Sequence, residues 1–351
     1  MTTLDELVNG TCSWLSGEGP ECVTVLSTRV RLARNLKGYP FTHKARQDQL
    51  SVIIASVFSA ASKTASLKKS LQIKMAEISN IDKRFLVERH LISPDLTGES
   101  KARGIVVSRD ESLSAMVNEE DHIRIQSISS GFQVENTWHS ASRLDDELSG
   151  RLEYAFNEEF GFLTSCPTNI GTGLRVSVLI HLPALVLTKK VREILEGLKQ
   201  VGVAIRGFYG EGTDTLGYFF QISNQTTLGQ SEHEIASNLG KVTKQVIDFE
   251  ARAREVLIKD ARIQIEDKVW RALGTLMFSR IINSQEVISL TSLVRLGLAL
   301  EFKGLPSVKT LNEILVFMQP AHLQKAVDKE MESPERNVMR AEMIRKRLEQ
   351  K

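Results

Sequence analysis

The sequence predicts an α+β fold: a mainly antiparallel sheet flanked by helices, followed by an all-helical C-terminal part. Three observations predict it. Short β-branched or alternating runs recur between residues 23 and 222. Several are joined by connections too short for a crossover helix, as between Tyr209 and Gly217. After about residue 255 the strand rhythm stops and helical spacing takes over. A length of 351 residues suits one large or two moderate units. The expected organisation is an α+β domain over residues 1–255 and a helical domain over 256–351.

The elements follow in order. A first strand is expected over residues 23–26, and Leu50, Ile53, Ile54, Val57 and Phe58 then share one helical face. Strands are expected over 103–108, 115–117 and 123–128, followed by a helix after Thr137 that presents Leu148, Leu152, Ala155 and Phe156. Residues 175–181 read as a strand, 185–201 as a helix, and 203–209 and 217–223 as strands, while Ser231 opens a long helix through Glu255. Val269, Leu273, Leu276 and Met277, then Val287, Leu290, Val294 and Leu298, then Leu311, Ile314 and Leu315 keep the three- and four-residue spacing. Gly304-Leu-Pro306 and Pro320 break that run, and residues 334–351 form a charged, weakly amphipathic helix.

Composition narrows the function classes. Hydrophobic residues make up 42% and charged residues 25%, ordinary globular usage. With 45 Lys+Arg against 43 Asp+Glu the net charge is +2, so no whole-chain field attracts nucleic acid or an anionic membrane. The first twenty residues lack a basic leader region, and no uncharged apolar run reaches the roughly 18 residues of a membrane span. A cytoplasmic location is expected. Cys12, Cys22 and Cys166 cannot all pair and form no C-x-x-C, so neither a disulfide framework nor a protein-held metal site is indicated.

Standard nucleotide motifs are absent: there is no P-loop, and Gly210-Glu-Gly212-Thr-Asp-Thr215 stops one glycine short of G-x-G-x-x-G. Arginines on strands and turns stand out instead. Ser27-Thr-Arg29-Val-Arg31 follows a strand, Arg124 and Arg206 lie within strands, and Arg175 begins one after a Gly-rich turn. Each could pair with one of the acids, but five strand-associated arginines, two of them an i, i+2 pair, are better explained by a shared polyanion, because burying an unpaired guanidinium is costly. The guanidinium fork suits phosphate.

Two further strings carry chemistry. Asn118-Glu119-Glu120-Asp121-His122 crowds three acids before the strand of Arg124, and Glu211 follows the strand of Arg206; acids placed there can bind a cation and accept its proton. In Ser165-Cys166-Pro-Thr168-Asn-Ile-Gly171-Thr-Gly173-Leu-Arg175, two glycines and a proline build a tight turn with a cysteine at one end and an arginine at the other. A lone cysteine is often a small buried hydrophobe, but this one sits in a polar turn.

Residues 166–175 resemble the signature turn of the phosphagen (guanidino) kinases, and Asn118-Glu-Glu-Asp-His122 resembles their N-E-E-D-H motif; Glu88-Arg-His-Leu-Ile-Ser93 and Arg206-Gly-Phe-Tyr-Gly-Glu211 match further blocks. The resemblance covers roughly residues 20–255. The helical domain that precedes the catalytic domain in creatine and arginine kinases is missing, and the extra helices are C-terminal, as in the bacterial protein-arginine kinases of that family. The resemblance implies transfer of the γ-phosphoryl of ATP, with Mg²⁺, to arginine side chains of proteins, marking them for a AAA+ unfoldase and its protease in protein quality control. A kinase for free arginine or another small guanidine, and a non-catalytic phosphoarginine-binding adaptor, stand as alternatives. Possible partners are protein substrates with exposed arginine and a small zinc-binding activator, and the apolar C-terminal helices make a homodimer an expectation.

The same resemblance assigns roles. Ser27, Thr28, Arg29, Val30, Arg31, His90, Arg124, Arg175, Val176, Ser177, Val178, Leu179, Arg206, Gly207, Phe208, Tyr209, Gly210 and Glu211 would form the ATP site. Glu120 and Glu211 would grip the guanidinium and accept its proton, with Glu119 and Asp121 as second choices and Asp121 acting through Mg²⁺-bound water. Cys166, with Thr168 nearby, would tune the guanidine without being the nucleophile. Protein-arginine kinases also carry an R-D-x-x-R-P motif that binds phosphoarginine. The string here is Arg336-Asn-Val-Met-Arg340-Ala341, so a weakened allosteric site at Arg336, Asn337 and Arg340 is expected.

Overall fold

The computed structural model describes residues 4–349, except 9, 11, 99–101 and 208–215. The strands are β1 Val25–Arg34, β2 Leu71–Lys74, β3 Gly104–Val107, β4 Leu113–Val117, β5 Ile123–Ser130, β6 Phe156–Asn157, β7 Gly161–Phe162, β8 Leu174–His181, β9 Val203–Gly207 and β10 Phe219–Asn224. Eight of them form one sheet in the order β2-β3-β4-β5-β1-β8-β10-β9, and every neighbouring pair is antiparallel. β6 and β7 form a separate small hairpin.

The helices are α1 Asp5–Val8, α2 Gln47–Ser62, α3 Asn80–Glu88, α4 Val134–Ser149, α5 Pro183–Leu187, α6 Val191–Gln200, α7 Glu232–Phe278, α8 Ser284–Ala299, α9 Val308–Phe317, α10 Pro320–Val327 and α11 Ser333–Glu349. One sheet face packs on α2, α4, α5 and α7 through Val30, Leu32, Ile125, Val176, Val178 and Ile222. The other face is covered at one end by the N-terminal segment and the C-terminal helices, through Trp14, Leu26, Ile128, Leu179, Phe219, Ile288 and Leu315. Across β2–β4 the same face is covered by α3 and α10, through Ile73, Ile105, Val107 and Met116 packed with Phe85, Leu86 and Ala321, and between these two apolar patches it is polar.

Several elements differ from the sequence expectation. β1 runs on to Arg34 where a strand over 23–26 is expected, because the arginines on its polar face mask the alternation. β2 is short and escapes the periodicity altogether. α4 stops at Ser149 with Gly150 behind it, so Leu152 is buried beyond the helix and Phe156 stands exposed in the β6–β7 hairpin. The single helix expected over 185–201 is two helices, divided where Lys189 adopts φ +62°. α7 passes through residue 255 without interruption and departs from helical geometry at Ala261.

A capping box starts α7: Ser231 accepts from the Glu234 amide while Glu234 reaches back to the Ser231 amide. Midway along, the buried Glu250 carboxylate accepts from the amides of Ala184 (3.1 Å) and Leu185 (3.0 Å), which open α5, and from Arg254 Nε (3.1 Å). Burial pushes the Glu250 carboxyl up to about 7, against the pull of Arg254 and the two amides.

Arg295 of α8 joins the helical part to the sheet. It is fully buried; its Nε donates to the Val23 carbonyl (2.7 Å), its Nη1 to Asn312 Oδ1 (2.6 Å) and its Nη2 to the Cys22 carbonyl. Asn312 in turn donates to the Leu15 carbonyl (3.1 Å). Arg295→Met keeps the aliphatic volume but strands these acceptors in a dry interior. It is expected to cost about 3 kcal/mol, read as a lowered midpoint in urea unfolding at unchanged slope.

Candidate active site

Strand register alone collects the arginines. Paired residues of an antiparallel ladder share a face. Arg29 opposes Ile128 and Ser177, Arg31 opposes Gln126 and Arg175, Ala33 opposes Arg124, and Gln221 opposes both Leu179 and Arg206. All five arginines therefore stand on one face. By the same alternation Thr28, Val30, Val176 and Val178 point the other way. Thr28 is fully buried, donating to the Gly131 carbonyl, and the three valines belong to the core under the helices. The contiguous assignment of residues 27–31 and 175–179 to a nucleotide site thus narrows, for side chains, to alternate residues. Leu179 narrows it further, because it packs in the apolar cluster at the far end of the polar face.

Arg124 apart, which pairs with Glu119 and Glu120, these guanidinium groups are short of anions. Arg29 donates only a long bond to Gln221 (3.4 Å), and Arg175 a long bond to Ser223 (3.3 Å). Buried Nε atoms of Arg31 and Arg175 have no hydrogen-bond partner. Burial, then Arg175 and Arg124, pull Arg29 down to about 10, and burial followed by Arg29, Arg124 and Arg175 pulls Arg31 well below its ordinary range. For Arg175 the causes are burial, Arg206 and Arg124, again downward. A cluster of this kind is electrostatically unfinished: a polyanion placed on it would relieve both the repulsion and the lost hydration.

The acidic turn lies beside it and divides its labour. Asn118, at φ +58°, donates to the carbonyls of Leu50 (2.9 Å) and Ala102 (2.6 Å). His122 accepts from the Leu36 amide and meets the Pro40 carbonyl at 2.9 Å. Asp121 is fully buried and accepts from Asn35 and from the Ser165 amide, both at 2.7 Å. Through Oδ1, Asp121 is the strut that joins the acidic turn to the cysteine turn, while its Oδ2 is buried without a hydrogen-bond partner. Glu119 is buried, taking Arg124 (2.7 Å) and the Ser93 hydroxyl. Glu120 alone of the three acids is substantially exposed; it takes Arg124 (2.7 Å) and, more distantly, Asn169 (3.4 Å).

The cysteine turn needs both of its glycines. Gly171 (φ +105°) and Gly173 (φ +64°) hold left-handed backbone, and a Cβ on either would strike the carbonyl of Thr227 or Ala33. Thr227 binds the turn from behind, its hydroxyl donating to the carbonyls of Ile170 (2.6 Å) and Thr168 (3.0 Å). Cys166 Sγ lies 3.0 Å from Thr168 Oγ1. The arginines, the acidic turn and the cysteine turn enclose a cavity of about 430 Å³ whose lining includes Arg31, Arg124, Arg175, Arg206, Glu120, Cys166 and Asn169. Asp95 lines it too and was not among the sequence candidates; it sits directly after the Glu88–Ser93 block. Asn169 was inside the quoted turn without an assigned role.

His90 adopts φ +59° and stacks on Trp14 at 5.0 Å. Burial, followed by the charge of Arg29, pulls it down to about 3, so it stands neutral beside the arginines. Phe208, Tyr209, Gly210 and Glu211 lie outside the described residues. Among the described residues no group of three or more His, Cys, Asp or Glu could hold a metal ion, and no helix is long and apolar enough to cross a membrane.

Of the three residues expected to hold phosphoarginine, Arg340 is buried. It donates to the carbonyls of Met318 (2.8 Å) and Ile282 (2.9 Å) and to Asn337 Oδ1 (2.6 Å). The expected pair of guanidinium groups facing one phosphate is corrected accordingly: Arg340 and Asn337 hold α11 in place, while Arg336 lines a second cavity with Arg84, Glu88 and Gln324.

Comparison with known proteins fits this geometry. Residues 52–253 match the ATP:guanido phosphotransferase, C-terminal catalytic domain, and residues 262–351 match the protein-arginine kinase McsB C-terminal domain. The protein-arginine kinase of Symbiobacterium thermophilum is 45% identical over 338 residues, 95% of this chain and 96% of that protein. That of Pelotomaculum thermopropionicum is 44% identical over 349 residues, 98% of each. Among solved structures, lombricine kinase superposes with a TM-score of 0.60 at 25% identity, over 68% of this chain and 70% of that one. The duplicated taurocyamine kinase from Schistosoma mansoni with bound transition state analog components gives 0.59 at 26% identity, over 69% of this chain and 36% of that one. The chain belongs to the ATP:guanido phosphotransferase family and, within it, to the protein-arginine kinases.

Proposed function

We propose that this enzyme transfers the γ-phosphoryl group of ATP to the guanidinium of arginine side chains in polypeptides. The observation that carries this reading is the cavity itself, where Arg31 and Arg175 are under-partnered and the exposed Glu120 stands beside them, held by Arg124. Arg31, Arg124, Arg175 and Arg206 fit phosphate oxygens, and their fixed positions neutralise charge on the group in flight without reorganisation. Arg29 and the neutral His90 stand one step further from the cavity, on the nucleotide side.

The acceptor is protonated at neutral pH and has no free lone pair until a proton leaves. Glu120 is the carboxylate placed to hold the guanidinium fork and take that proton, with Glu211 as its expected partner. Orientation alone contributes several kcal/mol when one nitrogen is held in line with the phosphorus. Cys166, polarised by the Thr168 hydroxyl, touches the guanidinium and adjusts its charge; phosphoryl transfer is direct and forms no phosphocysteine.

The donor set fits Mg²⁺ only as a guest of the nucleotide. The hard oxygens of Glu120 border the site, with Glu119 held behind it by Arg124 and Ser93, yet among the described residues there is no three-ligand cage. Such a site suits an ion that arrives on the phosphates and keeps its water. When bound, the ion supplies neutralisation of the phosphate charge.

The finer setting belongs to the same proposal: a cytoplasmic enzyme that marks proteins for a AAA+ unfoldase and its protease, with a zinc-binding activator. Arg336 and Arg84, the two cations of the second cavity, would receive phosphoarginine there. A homodimer is proposed on α7, where the exposed Phe249, Val256, Ile263 and Trp270 recur at every seventh residue.

Labelled ATP offered with casein or with free arginine tests the central reading, which fails if label enters only the free amino acid. Glu120→Gln is expected to lower arginine phosphorylation at least a hundredfold, about 2.7 kcal/mol, while ATP affinity measured by titration changes little. In Arg124, Arg175 and Arg206 a lysine keeps the charge and loses the fork. Each Arg→Lys exchange is expected to reduce kcat/KM for ATP about tenfold or more, near 1.4 kcal/mol; unchanged kinetics in all three would leave these residues a structural role only. Ile263→Lys is expected to shift the mass measured by light scattering from dimer to monomer.

A further inference from the structure

The 3₁₀ turn Pro94–Thr97 carries the one acid of the cavity that no motif accounts for, Asp95. The turn is joined to the acidic turn twice. Ser93 accepts from the Leu96 amide (3.3 Å) and, through the same hydroxyl, donates to Glu119. Arg103 donates from Nη1 to the Asp95 carbonyl (2.6 Å) and from Nε to the Asn118 carbonyl (3.1 Å). Gly98 leaves room for that guanidinium, since a Cβ there would come within 2.6 Å of Arg103 Nη1. Two side chains thus fix Asp95 relative to Glu119 and Glu120, and Pro94 at the start of the turn restricts its backbone.

Asp95 is exposed, and among the described residues its carboxylate has no side-chain partner. It lines the same cavity as Glu120 and Cys166, and the side-chain bonds that hold its turn run to the acidic turn, while β1 and β8 carry Arg29, Arg31 and Arg175. A target guanidinium delivers one positive charge, and Glu120 with its expected partner already answers it. A further carboxylate held at the wall then acts on whatever adjoins the target arginine.

We propose that Asp95 is a specificity-determining residue that selects the polypeptide context of the target, attracting a cationic side chain next to the arginine and repelling an acidic one. This rests on the proposed function, and it names the substrate class more narrowly: arginine within a basic stretch of chain. The interaction is between partly solvated charges, so it steers rates and tolerates variety without strict sequence recognition.

The test uses the full-length protein with Mg·ATP and two peptides that differ only in lysine or glutamate on either side of a single arginine. Wild type is expected to favour the lysine-flanked peptide about fivefold in kcat/KM at low ionic strength, and to lose most of that preference near about 0.5 M salt. Asp95→Asn should bring the ratio to within about twofold of unity, and Asp95→Lys should invert it. A wild-type ratio in both variants overturns the proposal. An equal loss on both peptides with a raised KM for ATP overturns it as well, since Asp95 would then serve the nucleotide. If wild type phosphorylates free arginine and neither peptide, it is the polypeptide reading that fails, and this proposal falls with it.

Discussion

Unbalanced positive charge on a sheet face is the constraint around which this molecule is built. Five guanidinium groups on four strands cannot all find carboxylates in the half-buried space between β5 and β9, and burial together with their mutual repulsion depresses the basicity of Arg29, Arg31 and Arg175. Only a stiff platform can hold like charges this close. The platform is supplied by the opposite face, where valines and leucines of the same strands pack against α2, α4 and α7. Period-two alternation does both jobs with one set of strands: apolar residues supply cohesion on one side, and the energy gained there offsets the repulsion stored on the other.

The acidic turn shows how few residues of a dense motif meet the ligand space. The Asn118 amide nitrogen, Asp121 Oδ1 and the His122 ring are taken by backbone carbonyls, a backbone amide and Asn35, and Glu119 is committed to Ser93 and Arg124. Their joint effect is to present Glu120 and to lock the acidic turn to the start of the cysteine turn. A motif of five residues is thus mostly scaffold for one carboxylate.

Much of this was legible in the sequence, and the failures have physical causes. The antiparallel class, the helical C-terminal part, the arginine cluster and both polar turns are local signals of period, connection length and residue type. β1 was read short because alternating arginines resemble a loop when the partner strands are unknown. The overrun of α4 came from Leu152, an apolar residue at helical spacing whose burial comes instead from the chain folding back after Gly150. Asp121 looked like its neighbours until Asn35 and Ser165, 86 and 44 residues away in sequence, were placed against it. Asp95 belongs to no charged string, and only the tertiary bridges through Ser93 and Arg103 bring it to the cavity.

α7 gives the molecule a mechanical axis. Its 47 residues follow about 70 Å of helical path, at 1.5 Å per residue, kinked at Ala261. It is clamped near Glu250 and Arg254 to the start of α5 and, through Thr24, to the entry of β1, the strand that carries Arg29 and Arg31. Beyond that clamp the helix runs on into the C-terminal helices, with a break in its geometry at Ala261. The break separates the two duties of the helix: the turns before Ala261 hold the sheet, and those after it, through Val269, Leu273 and Leu276, build the core of the C-terminal helices.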